Sequence, residues 1–145
     1  MISRDATVQD IFRIEPQPIQ LSGDPRPFIS KEMTPKHLHW LRARAMEEDG
    51  KILACYGLTA AFPGVADAWA VFSLQGLKYG KEITEDVLFW LERSVEEFGL
   101  RRVQAQAYEQ HEAAHHWLER LGFEFEGKLK KFGMRGETCW MYGRT

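Results

Sequence analysis

Three features are scarce in this 145-residue sequence: cysteine, long apolar runs and an excess of charge of either sign. Two cysteines, Cys55 and Cys139, form no disulfide framework, so we expect free thiols in a reducing compartment. No run reaches the ~18 apolar residues of a membrane span, and the first residues lack the pattern of a signal peptide. The net charge of −2 leaves no overall electrostatic footprint for nucleic acid. These absences predict a cytoplasmic protein that binds neither membranes nor nucleic acid.

The composition is that of an ordinary globular protein, with 44% hydrophobic and 28% charged residues. A chain of this length buries roughly 68–70% of its unfolded surface, which is enough for one core. Five of the six prolines lie between Glu15 and Pro35. Because proline restricts itself and the residue before it, this stretch predicts an irregular loop. With little chain before the loop, we expect one domain over residues 1–145.

Hydrophobic periodicity predicts helices and strands in alternation. One helix is predicted to have Thr34 as its N-cap and Pro35 as its first residue, and to end at Gly50. Strands are predicted at residues 2–4, 52–62, 68–74, 103–108, 123–130 and 138–144, and helices at 7–14, 83–98 and 112–121. The resulting order is β-α-α-β-β-α-β-α-β-β. Because it contains two hairpins, it favours an α+β fold with a mixed sheet over a doubly wound parallel sheet.

The residues in this order resemble a known family. The segment from His111 to Lys131, HEAAHHWLERLGFEFEGKLKK, is similar to a segment of GNAT acyltransferases that modify protein N-termini. Cys139-Trp-Met-Tyr142 fits the closing strand of that group, and Arg4 to Ile11 resembles its opening. The resemblance implies a three-layer GNAT fold: a central, mostly antiparallel mixed sheet with a splayed pair of parallel strands and flanking helices.

By this resemblance, acetyl-CoA is the co-substrate and enters the opening between the splayed strands. Its pantetheine arm would pair with the strand at residues 68–74, where backbone N–H groups near Val71 would polarise the thioester carbonyl. Its pyrophosphate would lie on backbone N–H groups before the long helix. The residues implied in cofactor binding are Val71, Phe72, Ser73, Lys78, Tyr79, Gly80, Lys81, Glu82, Ile83, Thr84 and His111.

The implied phosphate loop departs from the family pattern Q/R-x-x-G-x-G/A. Tyr79, Glu82 and Thr84 occupy its three key positions. Glu82, Glu85 and Asp86 crowd the start of the helix, where acids favour the helix dipole but repel a pyrophosphate. Lys78 and Lys81 offset part of this repulsion.

The groups implied in catalysis lie after the fifth strand. The family's usual Asn matches His111, and its frequent tyrosine acid aligns with Leu118. General acid–base chemistry needs titratable groups. Tyr108 or His111 is therefore predicted to protonate the departing thiolate, and Glu109 to deprotonate the amine.

Three function classes remain open. The first is direct transfer of an acetyl group to a protein N-terminus or a small amine. The second is a degenerate GNAT-like virion or interaction protein, because the departures resemble short phage and prophage members whose partner would be a phage protein. The third is a zinc peptidase, since His111-Glu112-Ala113-Ala114-His115 matches H-E-x-x-H. The extended zinc motifs are absent, so no metal is expected. A homodimer is compatible with the first class.

Overall fold

The computed structural model describes residues 1–23 and 30–145, so the predicted loop between Glu15 and Pro35 lies partly outside the described residues. Two short 3-10 helices, Pro18–Gly23 and Gly76–Tyr79, join longer elements. The strands are β1 Ile2–Asp5, β2 Trp40–Glu48, β3 Lys51–Phe62, β4 Val65–Phe72, β5 Arg102–Tyr108, β6 Glu124–Leu129 and β7 Cys139–Arg144. The helices are α1 Val8–Arg13, α2 Gly80–Phe98 and α3 Glu112–Arg120.

The strands form one mixed sheet of seven, in the order β1-β2-β3-β4-β5-β7-β6. Neighbours pair antiparallel except for β4 and β5, which run parallel. Parallel strands need a long crossover, and α2 is that crossover. The sheet and its flanking helices confirm the predicted fold class.

Helices pack on both faces of the sheet. The side chains of β4 alternate between these two faces, so each face contributes to a core. On the first face, Ala66, Ala68, Ala70 and Phe72 of β4 belong to the larger core, which also contains the inner side of α2. On the second face, Trp69 and Val71 of β4 join the smaller core. The smaller core is built on Ile11, Ile14, Ala45, Ile52 and Cys55.

The long helix α2 follows its predicted pattern and begins three residues earlier than predicted, at Gly80. Its buried side chains recur at helical spacing. It ends at Gly99, whose φ of 61° is the left-handed conformation that glycine adopts without steric cost. The buried residues are Ile83, Val87, Trp90, Leu91 and Ser94.

The predicted helix between Pro35 and Gly50 is wrong, because residues 40–48 form strand β2. Its sequence WLRARAMEE is rich in helix formers, but intrinsic preferences are below about 1 kcal/mol per residue for such residues. β2 pairs with β1 on one side and β3 on the other. Burial of Ala43, Ala45 and Met46 between these neighbours outweighs the local preference.

The predicted strand at residues 68–74 is displaced, since β4 runs from Val65 to Phe72. Ser73 turns the chain out of the strand. Its hydroxyl donates to the Leu53 carbonyl at 3.1 Å and accepts from the Gly76 N–H at 3.0 Å. β4 therefore ends before Leu74.

Candidate active site

The parallel strands β4 and β5 separate after three paired positions. The pairs are Val65 with Arg102, Ala66 with Val103 and Asp67 with Gln104. At the last pair the Gln104 amide donates to the Asp67 carboxylate at 2.9 Å. Beyond it a cavity of about 860 Å³ opens between the two strands. The predicted splayed pair is therefore present.

This cavity passes through the sheet from one face to the other. On the first face it is lined by Thr84 of α2 and Trp117 of α3. On the second face it is lined by Trp40, Trp69 and Val71. Two ligands that approach from opposite faces can therefore meet between β4 and β5.

The open edge of β4, at Ala70 and Phe72, faces this cavity with its backbone groups. Ser73 N–H donates to the Leu53 carbonyl of β3 at 3.0 Å, so the N–H groups of Val71 and Ser73 point to β3. Those of Ala70 and Phe72 point to the opening by alternation. Val71 itself, which the sequence predicted for this role, therefore presents no N–H group to the cavity, whereas its neighbours Ala70 and Phe72 do.

Two glutamines contact this open edge: Gln20 of the first 3-10 helix, and Gln17, which directly precedes that helix. The Phe72 N–H donates to Gln20 Oε1 at 2.9 Å, and Gln20 Nε2 donates to the Ala70 carbonyl at 3.0 Å. The Gln17 N–H donates to the Phe72 carbonyl at 2.8 Å. No motif in the sequence marks either glutamine. Their position in a proline-rich stretch is the sole sequence signal.

The start of α2 offers backbone to an anion. A Cβ added at Gly80 would meet no atom within 4 Å, and no side chain caps the helix. Lys78 and Lys81 are exposed beside it. A helix start that has no side-chain cap, open space beside Gly80 and cations nearby is compatible with an approaching anion.

The acids at this helix start are fewer than the sequence suggests. Asp86 accepts hydrogen bonds from the hydroxyls of Tyr56 and Ser3, so its carboxylate points to the sheet. Glu82 and Glu85 remain exposed. Of the three acids that the sequence places at this helix start, only Glu82 and Glu85 therefore lie free beside Gly80.

Three residues that were predicted to bind the cofactor, Tyr79, Ile83 and Ser73, stabilise the fold and do not line the cavity. Tyr79 donates its hydroxyl to Glu48, and this hydrogen bond raises the pKa of Tyr79. Ile83 is fully buried in the larger core. Ser73 is used in the turn after β4. The predicted residues that line the cavity are Val71, Phe72, Gly80, Thr84, Tyr108 and His111.

Trp117 joins three elements at the first face of the cavity. Its indole N–H donates to Thr84 Oγ1 of α2 at 2.9 Å. Its ring meets the Phe72 ring edge-on, with centroids 5.1 Å apart. The structure shows that it also borders the cavity.

The three predicted catalytic groups have different surroundings. Tyr108 and His111 line the cavity, and Glu109 does not. The Glu109 carboxylate accepts the Trp140 indole N–H at 2.9 Å and lies 3.4 Å from Lys128 Nζ, and these contacts lower its pKa. Burial, and then the nearby His115, lower the pKa of His111, so its imidazole is neutral at pH 7.

The H-E-x-x-H segment has no zinc-site geometry. His115 Nε2 lies 3.0 Å from the Glu109 carbonyl, and Nδ1 lies 2.9 Å from the Tyr142 hydroxyl. A carbonyl only accepts, so we assign the proton to Nε2, and both ring nitrogens are used. His111 is the N-cap of α3. Across residues 1–23 and 30–145, no group of three or more His, Cys, Asp or Glu side chains could hold a metal.

Both cysteines are buried as free thiols. Cys139 borders the cavity, and burial followed by the charge of Glu137 raises the pKa of its thiol. Burial raises the pKa of Cys55 to about 12. Neither is therefore a thiolate nucleophile at neutral pH.

Among the helices in the described part of the chain, none is long and apolar enough to cross a membrane.

Solved structures share this fold at low sequence identity. A spermidine N-acetyltransferase mutant from Vibrio cholerae has a TM-score of 0.72 and 16% identity, covering 99% of this chain and 94% of that one. A ribosomal-protein-alanine N-acetyltransferase from Brucella melitensis has a TM-score of 0.73 and 15% identity, covering 99% of both chains. A putative acetyltransferase from Acinetobacter baylyi has a TM-score of 0.71 and 19% identity, covering 99% of this chain and 93% of that one. At these identities the likeness shows the fold alone.

No curated protein sequence matches the chain significantly. The model of one protein family does match, over residues 6–123, and its description is acetyltransferase (GNAT) family. The match begins at the residue after β1 and extends beyond the end of α3, so it includes both separated strands and the start of α2. The chain therefore belongs to the GNAT acetyltransferase family.

Proposed function

We propose that this chain transfers an acetyl group from acetyl-CoA directly to an amine. The observation that carries the proposal is the separation of β4 and β5 around a cavity that passes through the sheet. One face offers the start of α2 for the co-substrate. The other face offers a separate approach for the acceptor.

Acetyl-CoA supplies an activated thioester, and the chain's own residues bind and orient it. The backbone at Gly80 with Lys78 and Lys81 would hold the pyrophosphate. The N–H groups of Ala70 and Phe72 face the position of the thioester arm, where a backbone N–H stabilises the negative charge that develops on a carbonyl oxygen.

His111 is the base we propose for the acceptor ammonium. Its half-buried imidazole is neutral at pH 7 and borders the cavity. Glu109 is a weaker base because its hydrogen bonds stabilise the charged form. Tyr108 borders the same cavity and is the acid we propose for the departing thiolate. The protonated thiols favour direct transfer over an acyl-cysteine intermediate.

The acceptor we propose has one amine on an apolar body, such as a protein N-terminus with apolar first residues. Trp40 and Trp69 lie with ring centroids 5.2 Å apart on the second face of the cavity. Among the described residues, no aspartate or glutamate lines the cavity. A polyamine needs carboxylates for its several ammonium groups, so this lining favours a monoamine.

Calorimetric titration of the purified, tag-free protein with acetyl-CoA tests the proposal, with CoA as the control ligand. One-to-one binding at micromolar concentration supports it. Thiol release from acetyl-CoA is then measured with a short peptide N-terminus, phenethylamine and spermidine. Faster turnover of the first two supports the acceptor class, and preference for spermidine contradicts it.

The competing proposal is a protein of the same fold that no longer binds acetyl-CoA and instead contacts a protein partner. The contacts of Gln20 with the open edge of β4 and of Trp117 with Thr84 favour it, because both occupy the cavity border. No binding at millimolar acetyl-CoA would support this alternative and contradict the acetyltransferase proposal.

A further inference from the structure

We infer that Gln20 is an internal occupant of the co-substrate site, which acetyl-CoA must displace in order to bind. The inference rests on the proposed function, since it concerns the same cavity. Gln20 lies in the 3-10 helix Pro18–Gly23, far from β4 in sequence, and reaches the strand with its side chain.

The carboxamide of Gln20 binds β4 as another strand would. Its oxygen accepts the Phe72 N–H at 2.9 Å and its nitrogen donates to the Ala70 carbonyl at 3.0 Å. This two-point contact joins backbone groups two residues apart on one strand edge. An amide in this position reproduces the hydrogen bonds by which extended ligands add to an open edge.

Gln20 is held in place by neighbouring contacts. The Gln17 side chain donates to Gln20 Oε1 at 3.1 Å, and the Gln20 N–H donates to the Gln17 carbonyl at 2.9 Å. Gln17 is 8% exposed and donates its own N–H to the Phe72 carbonyl at 2.8 Å. Residues 17–20 therefore form a strap across the end of β4.

The strap and the co-substrate compete for the same backbone groups. The pantetheine arm of acetyl-CoA carries two amide groups, and the separation of β4 from β5 exposes these backbone groups to the cavity. One N–H donates to one acceptor at a time with good geometry. An arm laid along this edge must therefore move the Gln20 carboxamide away. Removing the carboxamide raises the fraction of the protein that is ready to bind.

The test compares acetyl-CoA binding by wild type, Gln20→Ala and a control, Gln9→Ala, using calorimetry. Gln9 also donates its side-chain amide to a backbone carbonyl, that of Lys31, but on the exposed surface. We expect Gln20→Ala to lower the dissociation constant about 3- to 30-fold, as loss of one or two competing hydrogen bonds predicts. The control should leave it unchanged. Equal or weaker binding by Gln20→Ala overturns the inference.

The outcomes separate this inference from the proposed function. If wild type binds acetyl-CoA and Gln20→Ala binds no better, the inference fails and the proposed function stands. If no variant binds at millimolar acetyl-CoA, both fail. If Gln20→Ala binds and the wild type does not, the inference stands, because release of the strap makes the cavity competent, and the proposed function of the wild-type protein fails.

A measurement on the wild-type protein covers the case in which Gln20→Ala does not fold. The side-chain NH₂ resonances of Gln20 in a ¹⁵N-labelled sample report its hydrogen bond to Ala70. We expect them to shift on saturation with acetyl-CoA while those of Gln9 remain in place. Unchanged Gln20 resonances in the saturated protein would overturn the inference.

Discussion

At the scale of single residues, the surroundings of a side chain determine its charge and its chemistry. His111 and Glu109 are two positions apart, yet burial favours the neutral form of one and hydrogen bonds favour the charged form of the other. Their sequence positions alone predicted Glu109 as the base. The indole of Trp140, which holds the Glu109 carboxylate, is 31 positions away in the chain.

His111→Gln should therefore lower kcat by at least about 100-fold, because it removes the proposed base. In wild type, kcat should fall only as the pH drops below the usual histidine range, since the lowered pKa keeps the imidazole neutral at higher pH. The measurement is kcat against pH from thiol release. His37→Gln, an exposed histidine in the turn before β2, is the control. If kcat of His111→Gln still fell at low pH as it does in wild type, His111 would not be the base.

Asp10 carries a different kind of prediction, one of stability. Its side chain is 2% exposed, and Arg4 holds it by two hydrogen bonds, at 2.8 and 2.9 Å. Burial opposes the charge, but Arg4 and the Thr7 N–H outweigh it and lower the pKa of Asp10. Asp10→Asn should lower the free energy of unfolding at pH 7 by about 2–4 kcal/mol, measured by urea denaturation.

The pH dependence of this effect has a definite sign. A carboxylate with a lowered pKa stabilises the fold above its unfolded pKa of about 3.9, and this contribution is lost as the pH falls through the folded pKa. The difference between wild type and Asp10→Asn should therefore shrink below about pH 4. Asp5→Asn is the matched control, because its ion pair with Arg44 is exposed and contributes less than about 1 kcal/mol. Equal losses in both variants would contradict the prediction.

At the scale of elements, the start of α2 affects the stability of the helix and is the place where we propose that the co-substrate binds. Gly80 has an ordinary helical φ of −53° and open space where a Cβ would lie. Alanine is therefore compatible with the fold there. In the bound state, however, the same methyl group would lie between the backbone and the pyrophosphate.

Gly80→Ala should accordingly raise the free energy of unfolding by about 0.5–1 kcal/mol and yet weaken acetyl-CoA binding. Urea denaturation measures the first effect and calorimetry the second. Glu96→Ala, at the opposite end of the same helix, should leave binding unchanged. If Gly80→Ala bound acetyl-CoA as tightly as wild type, the pyrophosphate would not lie at this helix start.

At the scale of the whole molecule, the cavity interrupts the sheet where its parallel strands separate. A ligand seated there contacts both halves of the sheet, so its binding energy adds to the stability of the fold. Acetyl-CoA at 100 times its dissociation constant should stabilise the protein by about 2.7 kcal/mol. For a chain of this size that is a rise in Tm of roughly 8–10 °C.

Differential scanning fluorimetry measures this shift, and CoA without its acetyl group should produce most of it, since the pyrophosphate and the pantetheine arm are shared. Adenine alone is the negative control. An unchanged Tm at millimolar acetyl-CoA would argue for the interaction protein in place of the enzyme.

The sequence by itself determined the elements whose hydrophobic pattern is local. The spacing from Ile83 to Val95 predicted α2, and the alternation from Val103 to Tyr108 predicted β5, because each pattern matches one period of the backbone. The resemblance of residues 111–131 to the family segment predicted the fold class. These signals need no knowledge of which elements lie side by side.

Only the tertiary structure decided what depends on contacts between distant segments. Residues 40–48 became a strand because β1 and β3 lie on either side of them, against a helical preference of their own. His115 is a hydrogen-bonded core residue because Tyr142 lies beside it. Gln20 meets Phe72 across 52 positions of chain. Such contacts join groups that no local period relates, so their energies enter only when the chain is folded.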